Sequence, residues 1–163
     1  CGVLLLGKVL AYMLICLCQF WIIVLMGFYL LPLLGTPVLE MGSAYGAILL
    51  VVVSAALAAT GYGILLGAFA GTYEQASMFG SVSVVIAAAV GGIMVPVYAM
   101  PEIMREISRF SPLAWGLSGL TDLFVRQEDI RSVWPEAILL LAFAAATMIT
   151  GWWRFVNGER TDL

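Results

Sequence analysis

Four stretches of the chain carry almost no polar interruption. Uncharged windows cover residues 9–34, 44–70, 75–97 and 133–153, broken only by Glu136 near the start of the last. A hydrocarbon core of about 30 Å takes about 20 apolar residues in a helix. Each window is therefore long enough to span a bilayer, and the first two are expected to tilt or to run past the hydrocarbon. The connections are unequal. Residues 35–43, with Pro37 and Glu40, and residues 71–74 make short turns, whereas residues 98–132 hold four of the seven basic and five of the ten acidic side chains.

Within 98–132 the apolar positions recur at helical spacing. Pro101 can open a helix at its first turn; Ile103, Met104, Ile107 and Phe110 then share one face, and Glu102, Arg105, Glu106 and Arg109 the other. Ser111-Pro112 reads as a cap followed by a first helical residue, and Leu113, Leu117, Leu120 and Phe124 form a second apolar stripe. The pattern predicts two short helices, broken at Ser111-Pro112, that lie along the interface or dip into the membrane and return. Irregular backbone at such depth is tolerated where protein or a water-filled cavity covers it. The expected fold class is an all-α membrane protein: four transmembrane helices plus two short re-entrant or interfacial helices before the last span. They make a single transmembrane domain over 1–163, with 154–163 as a tail.

Small residues add detail. Ala55, Ala59, Gly63, Gly67 and Gly71 recur every four residues along the second span and predict a helix-packing face, because small side chains let backbones approach. Ala76, Gly80, Ala88 and Gly92 give the third span a looser version, so these two helices are expected to pack along these faces. Gly91, Gly92, Pro96 and Pro101 loosen the end of the third window, which suits a gate hinge or an ordinary helix exit. Lys8, after Gly7, reads as a snorkelling anchor or as a contact for a cytoplasmic partner. Trp152, Trp153 and Arg154 form an interfacial belt with a charged stop, and Trp134 to Glu136 mark the opposite entrance.

Composition narrows the function. The chain is 63% hydrophobic and 10% charged, against about 25% charged in soluble domains, so lipid must cover its surface. The net charge of −3 is scattered and gives no nucleic-acid footprint. Histidine is absent, which removes imidazole acid–base catalysis, the Ser/His/Asp and Cys/His triads, and zinc or haem sites built on imidazole. Cys16 and Cys18 point about 200° apart on a helix, so they neither pair nor form a metal motif. No ionisable group sits mid-span, where proton- or sodium-coupled carriers hold their coupling ion. Gly7-Lys8 lacks the Ser or Thr of a P-loop and the strand before it. The chain is expected to be no enzyme, to carry no cofactor of its own and to draw energy from a partner. Its Cys-Gly start, without an initiator Met, reads as a segment of a longer protein rather than a lipidated terminus.

The order of these features resembles the C-terminal part of a type-2 ABC exporter permease over about residues 4–153. LLLGKVLAY opens the first span, GYGILLGAFAGTYEQAS joins the second to the third, and GGIMVPVYAMPEIMREISRFSPLAWGLSGLTDLF precedes the last. Gly91, Gly92, Pro96, Met100, Pro101, Ser111, Pro112 and Trp115 are the strongest piece. The resemblance implies a six-span permease subunit of which these are the last four spans, pairing as a homodimer or with a second permease. It implies ATP hydrolysis by a separate ABC ATPase and a multi-pass place in a bacterial inner (plasma) membrane. Gly7 and Lys8 would adjoin the ATPase side. Residues 98–132 would be external re-entrant helices capping the path, with Gly91, Gly92, Pro96, Pro101, Pro112 and Trp115 as the gate, and both chain ends would be cytoplasmic. The charge count alone leans the other way, with Lys8, Arg154 and Arg160 on the terminal side against four Arg in 98–132. The competing expectation is a non-transporting scaffold or assembly subunit that holds a partner helix on its small-residue face. A third, a proton-coupled carrier, depends on Glu136.

Overall fold

The computed structural model describes residues 2–35 and 45–158. Among them the regular elements are all helical: α1 (Gly2–Leu33), α2 (Tyr45–Phe69), α3 (Tyr73–Val90), a 3-10 turn at Val97–Ala99, α4 (Glu102–Ser108), α5 (Pro112–Phe124) and α6 (Ile130–Gly158). Helices α1, α2, α3 and α6 are long and apolar enough to cross a membrane. The two short helices precede the last of them, which is the expected class. Cys1, the segment with Pro37 and Glu40 where a short turn is expected, and residues 159–163 of the expected tail lie outside the described residues.

The centre of the molecule is α2 lying on α6. Along α2 the residues Ala47, Val51, Ser54, Ala58 and Gly61 are buried, and along α6 so are Val133, Ala137, Leu140, Ala144, Thr147 and Gly151. Both series alternate steps of four and three, an average of 3.5 residues, which drifts only about 20° per seven residues and so keeps one face towards the partner helix. The helices run parallel. Val51 and Val133 share a cluster at one end, Ala58 packs with Leu140 and Ala144, and Ile64 meets Gly151 further along. Most of these side chains are small, as required where packing rather than a hydrophobic drive must hold helices together in lipid. A Cβ at Gly61 would stand 2.5 Å from Thr147 Oγ1 and 3.1 Å from the Ala144 carbonyl oxygen, so only glycine fits there. The seam's hydroxyls are satisfied inside their own helices: Ser54 donates to Leu50 O, Thr60 to Ala56 O, and Thr147 to Phe143 O and Ala144 O, at 2.7 to 3.0 Å.

The remaining spans are peripheral. In α1, Val24 and Gly27 are buried, and Leu17 and Phe20 pack on the α2 cluster. Helix α3 buries none of its residues. Its start is fixed by a reciprocal cap, in which Gln75 N donates to Thr72 Oγ1 and Gly71 N donates to Gln75 Oε1, at 3.2 and 3.1 Å. It ends at Val90 rather than running to residue 97. Gly91 closes the last turn by donating to Ala87 O, and Gly92 turns the chain away with φ +88°, a left-handed conformation that glycine adopts freely.

Candidate functional site

The bent pair α4–α5, the hairpin, is joined at residues 109–111; α5 packs against α2 and α6, and α4 lies against α3. Trp115, in the first turn of α5, packs on the Ala58, Leu140 and Ala144 cluster. Ala58 lies about 20 Å along α2 from Tyr45 at 1.5 Å per residue. Leu123, near the other end of α5, packs with Ala47, Ile48 and Val133, where α2 and α6 begin. Helix α5 therefore climbs from mid-depth back to the rim, antiparallel to both neighbours. Its bend is tied by the Trp115 indole N–H donating to the Arg109 carbonyl at 2.7 Å. Ser111 precedes α5 and Pro112 takes its first helical position. Pro101 stands just before α4, and Pro96 just before the 3-10 turn; fixed φ and no N–H suit proline to these starts.

Two glycines let the hairpin seat closely. A Cβ at Gly91 would come within 3.1 Å of both Leu113 Cβ and Ser111 Oγ, so the end of α3 touches the tip of the hairpin. A Cβ at Gly119 would meet the two Val51 methyls at 3.2 and 3.3 Å and Glu136 Cβ at 3.8 Å, so α5 rests where α2 and α6 converge. At these two contacts lie two buried polar atoms, Ser111 Oγ and Glu136 Oε2, with no hydrogen-bond partner among the described residues. Helix α4 presents Ile103 and Ile107 outwards, and Phe110 in the bend after it is exposed as well. At the rim, Arg126 pairs with Asp122 at 2.9 Å across one helical turn.

Of the gate residues named from sequence, Gly91, Gly92, Pro112 and Trp115 come together around the tip of the hairpin, while Pro96 and Pro101 are exposed on the segment leading into it. Gly92 lies beside Val97 and Leu117. The four-residue series runs off the α6 face. Ala55 packs beside the Ala58 cluster, Ala59, Gly63, Gly67 and Gly71 are exposed, and among the described residues nothing comes within 4 Å of a Cβ at Gly63 or Gly67. A strict step of four drifts about 40° each time, or about 160° from Ala55 to Gly71, so it winds around the helix. Helix α3 meets α2 only low down, where Gly80 lies beside Leu66. Gly7 and Lys8 are exposed on α1. Sequence reasoning missed Gly61, Thr147, Gly151 and Gly119; the alternating four-three spacing of small residues in the second and fourth windows was the available signal for the first three.

The family of ABC-2 type transporters matches residues 2–125, from α1 to the end of α5. A similar protein is the linearmycin resistance permease protein LnrN of Bacillus subtilis (strain 168), 30% identical over 146 residues, which are 89% of this chain and 36% of that protein. The chain thus spans about a third of the length of this curated relative. No solved structure matches it.

Proposed function

The chain belongs to the ABC-2 type transporter family, and from that membership we propose that it supplies four spans of an exporter permease powered by a separate ABC ATPase. It is a multi-pass membrane protein and part of a transporter permease. In the proposed arrangement both described ends face the cytoplasm and the α4–α5 hairpin caps the path externally. The permease pairs with a second copy or a second permease in a bacterial inner membrane. The observation that carries this reading is α5, which rises from mid-depth to the rim against α2 and α6 inside a family match that covers it. The relative is a resistance permease for linearmycin, which supports outward transport here as well.

The test is reconstitution of the full-length permease with its ATPase in lipid vesicles, following ATP-dependent movement of a hydrophobic amphiphile. Movement that requires both subunits is expected, and substitutions at Pro101 or Trp115 should impair it with assembly intact. Flux indifferent to ATP hydrolysis overturns the reading. The scaffold alternative draws on the open face at Gly63 and Gly67; it gains if Gly63→Leu breaks assembly while the hairpin substitutions leave export untouched.

A further inference from the structure

In a packed structure a buried polar side-chain atom without a partner is uncommon and calls for a cause. Among the described residues Ser111 Oγ and Glu136 Oε2 are the atoms in this state, and they flank the same helix. Ser111 is 8% exposed and stands at the cap position of α5, yet its hydroxyl makes no cap bond; the N–H groups of Ala114 and Trp115 go to its carbonyl oxygen instead, at 3.0 and 3.2 Å. The hydroxyl is held against Gly91, where a Cβ would stand 3.1 Å away. Glu136 lies under α5 at Gly119. Glu136 is half-buried, and neither neighbour offers it a counter-charge: α2 carries no charged residue, the charged residue of α5, Asp122, is itself an acid, and Arg126 beyond α5 is paired with that acid.

We infer that Ser111 and Glu136 are positioning residues that hold the α4–α5 hairpin in a poised, reversible seat, each favouring its release because its polar atom is satisfied only when α5 lifts. Leaving a buried donor or acceptor unpaired costs the full desolvation of that group, whereas lifting α5 returns both atoms to water. The cost falls on the seated state alone. The rest of the contact is close apolar packing, through Gly91, Gly119 and Leu123, which holds the seat against that push. Elements that open locally are those whose native contacts are only just favourable, and the seat of α5, flanked by Ser111 and by Glu136 of α6, fits that description better than the α2–α6 seam, whose buried hydroxyls are all bonded. The inference deepens the reading of the hairpin as the transport gate. It is tested by accessibility rather than flux, so its failure and the failure of that reading remain distinct.

The experiment uses the full-length protein in lipid vesicles, with the native cysteines of this chain replaced and Leu123→Cys as reporter, since Leu123 is buried on the seated side of α5. A soluble maleimide then reads how often α5 leaves its seat. Ser111→Ala and Glu136→Met, which remove the polar atom and keep most of the volume, are each expected to slow labelling on the order of tenfold, and the double variant further. The thermal midpoint should hold or rise for both. The sign is diagnostic for Ser111, because replacing a working N-cap serine with alanine lowers stability. Labelling that is unchanged or faster, or a midpoint that falls with Ser111→Ala, overturns the inference.

Discussion

Helix α2 meets α6, and helix α5 meets its seat, by the same means: small residues that let backbones close up. Gly61 and Gly151 serve the first contact, Gly91 and Gly119 the second. The contacts differ in how their polar groups end. Along α2 and α6 each buried hydroxyl finds a carbonyl one turn back in its own helix, so the seam is closed in both packing and hydrogen bonding. At α5 the packing is as close, yet two polar atoms are stranded. One contact is a fixed frame and the other a removable part, and the distinction lies in hydrogen bonding rather than in apolar area.

The sharpest way to break this comparison is at Gly61. Gly61→Leu drives a side chain into Thr147 and the α6 backbone and is expected to cost about 3 kcal/mol or more, read as thermal unfolding in lipid. Gly63→Leu, two residues on, enters open space and should change this chain's own stability by no more than about 0.5 kcal/mol. Equal losses at the two positions would mean that the seam is misplaced. A smaller effect is expected at Gly92, where φ +88° and the nearby Val97 make Gly92→Ala unfavourable by about 1–2 kcal/mol. Hydrogen exchange should then rise over residues 93–101 while the α2 and α6 amides stay protected. Smallest is Trp115→Phe, which keeps a ring against Ala58 and Leu140 but loses the bond to Arg109. About 1 kcal/mol is expected, read as faster exchange around residues 109–113.

The spans, the break at Ser111-Pro112 and the two short helices on either side of it were legible because they rest on local signals: apolar length, proline at helix starts, and amphipathic spacing. The faces of the spans were not. Lipid accepts any apolar side chain, so hydrophobicity cannot tell an inward face from an outward one, and the repeat of small residues must decide. The series from Ala55 to Gly71 looks the more regular, yet a helix of 3.6 residues per turn carries it around the cylinder, whereas Val51, Ser54, Ala58 and Gly61 look irregular and stay on one side. The end of α3 at Val90 was readable in Gly91 and Gly92, and the expected window ran on to residue 97 only because hydropathy does not register backbone turns. The setting of Glu136 was beyond sequence reasoning, since it depends on the register that brings Gly119 over it.

The parallel pairing of α2 with α6 has a consequence for biosynthesis. The two halves of the seam are separated in the chain by α3, α4 and α5, so during synthesis α2 is made long before α6, and its small face has no α6 to meet. The hydroxyls of Ser54 and Thr60 would be a liability in that interval if they depended on α6. They are bonded within α2 itself, as hydrocarbon demands of an isolated span. The helix can wait, already complete as a membrane helix, for a late-arriving partner that has only to fit its shape.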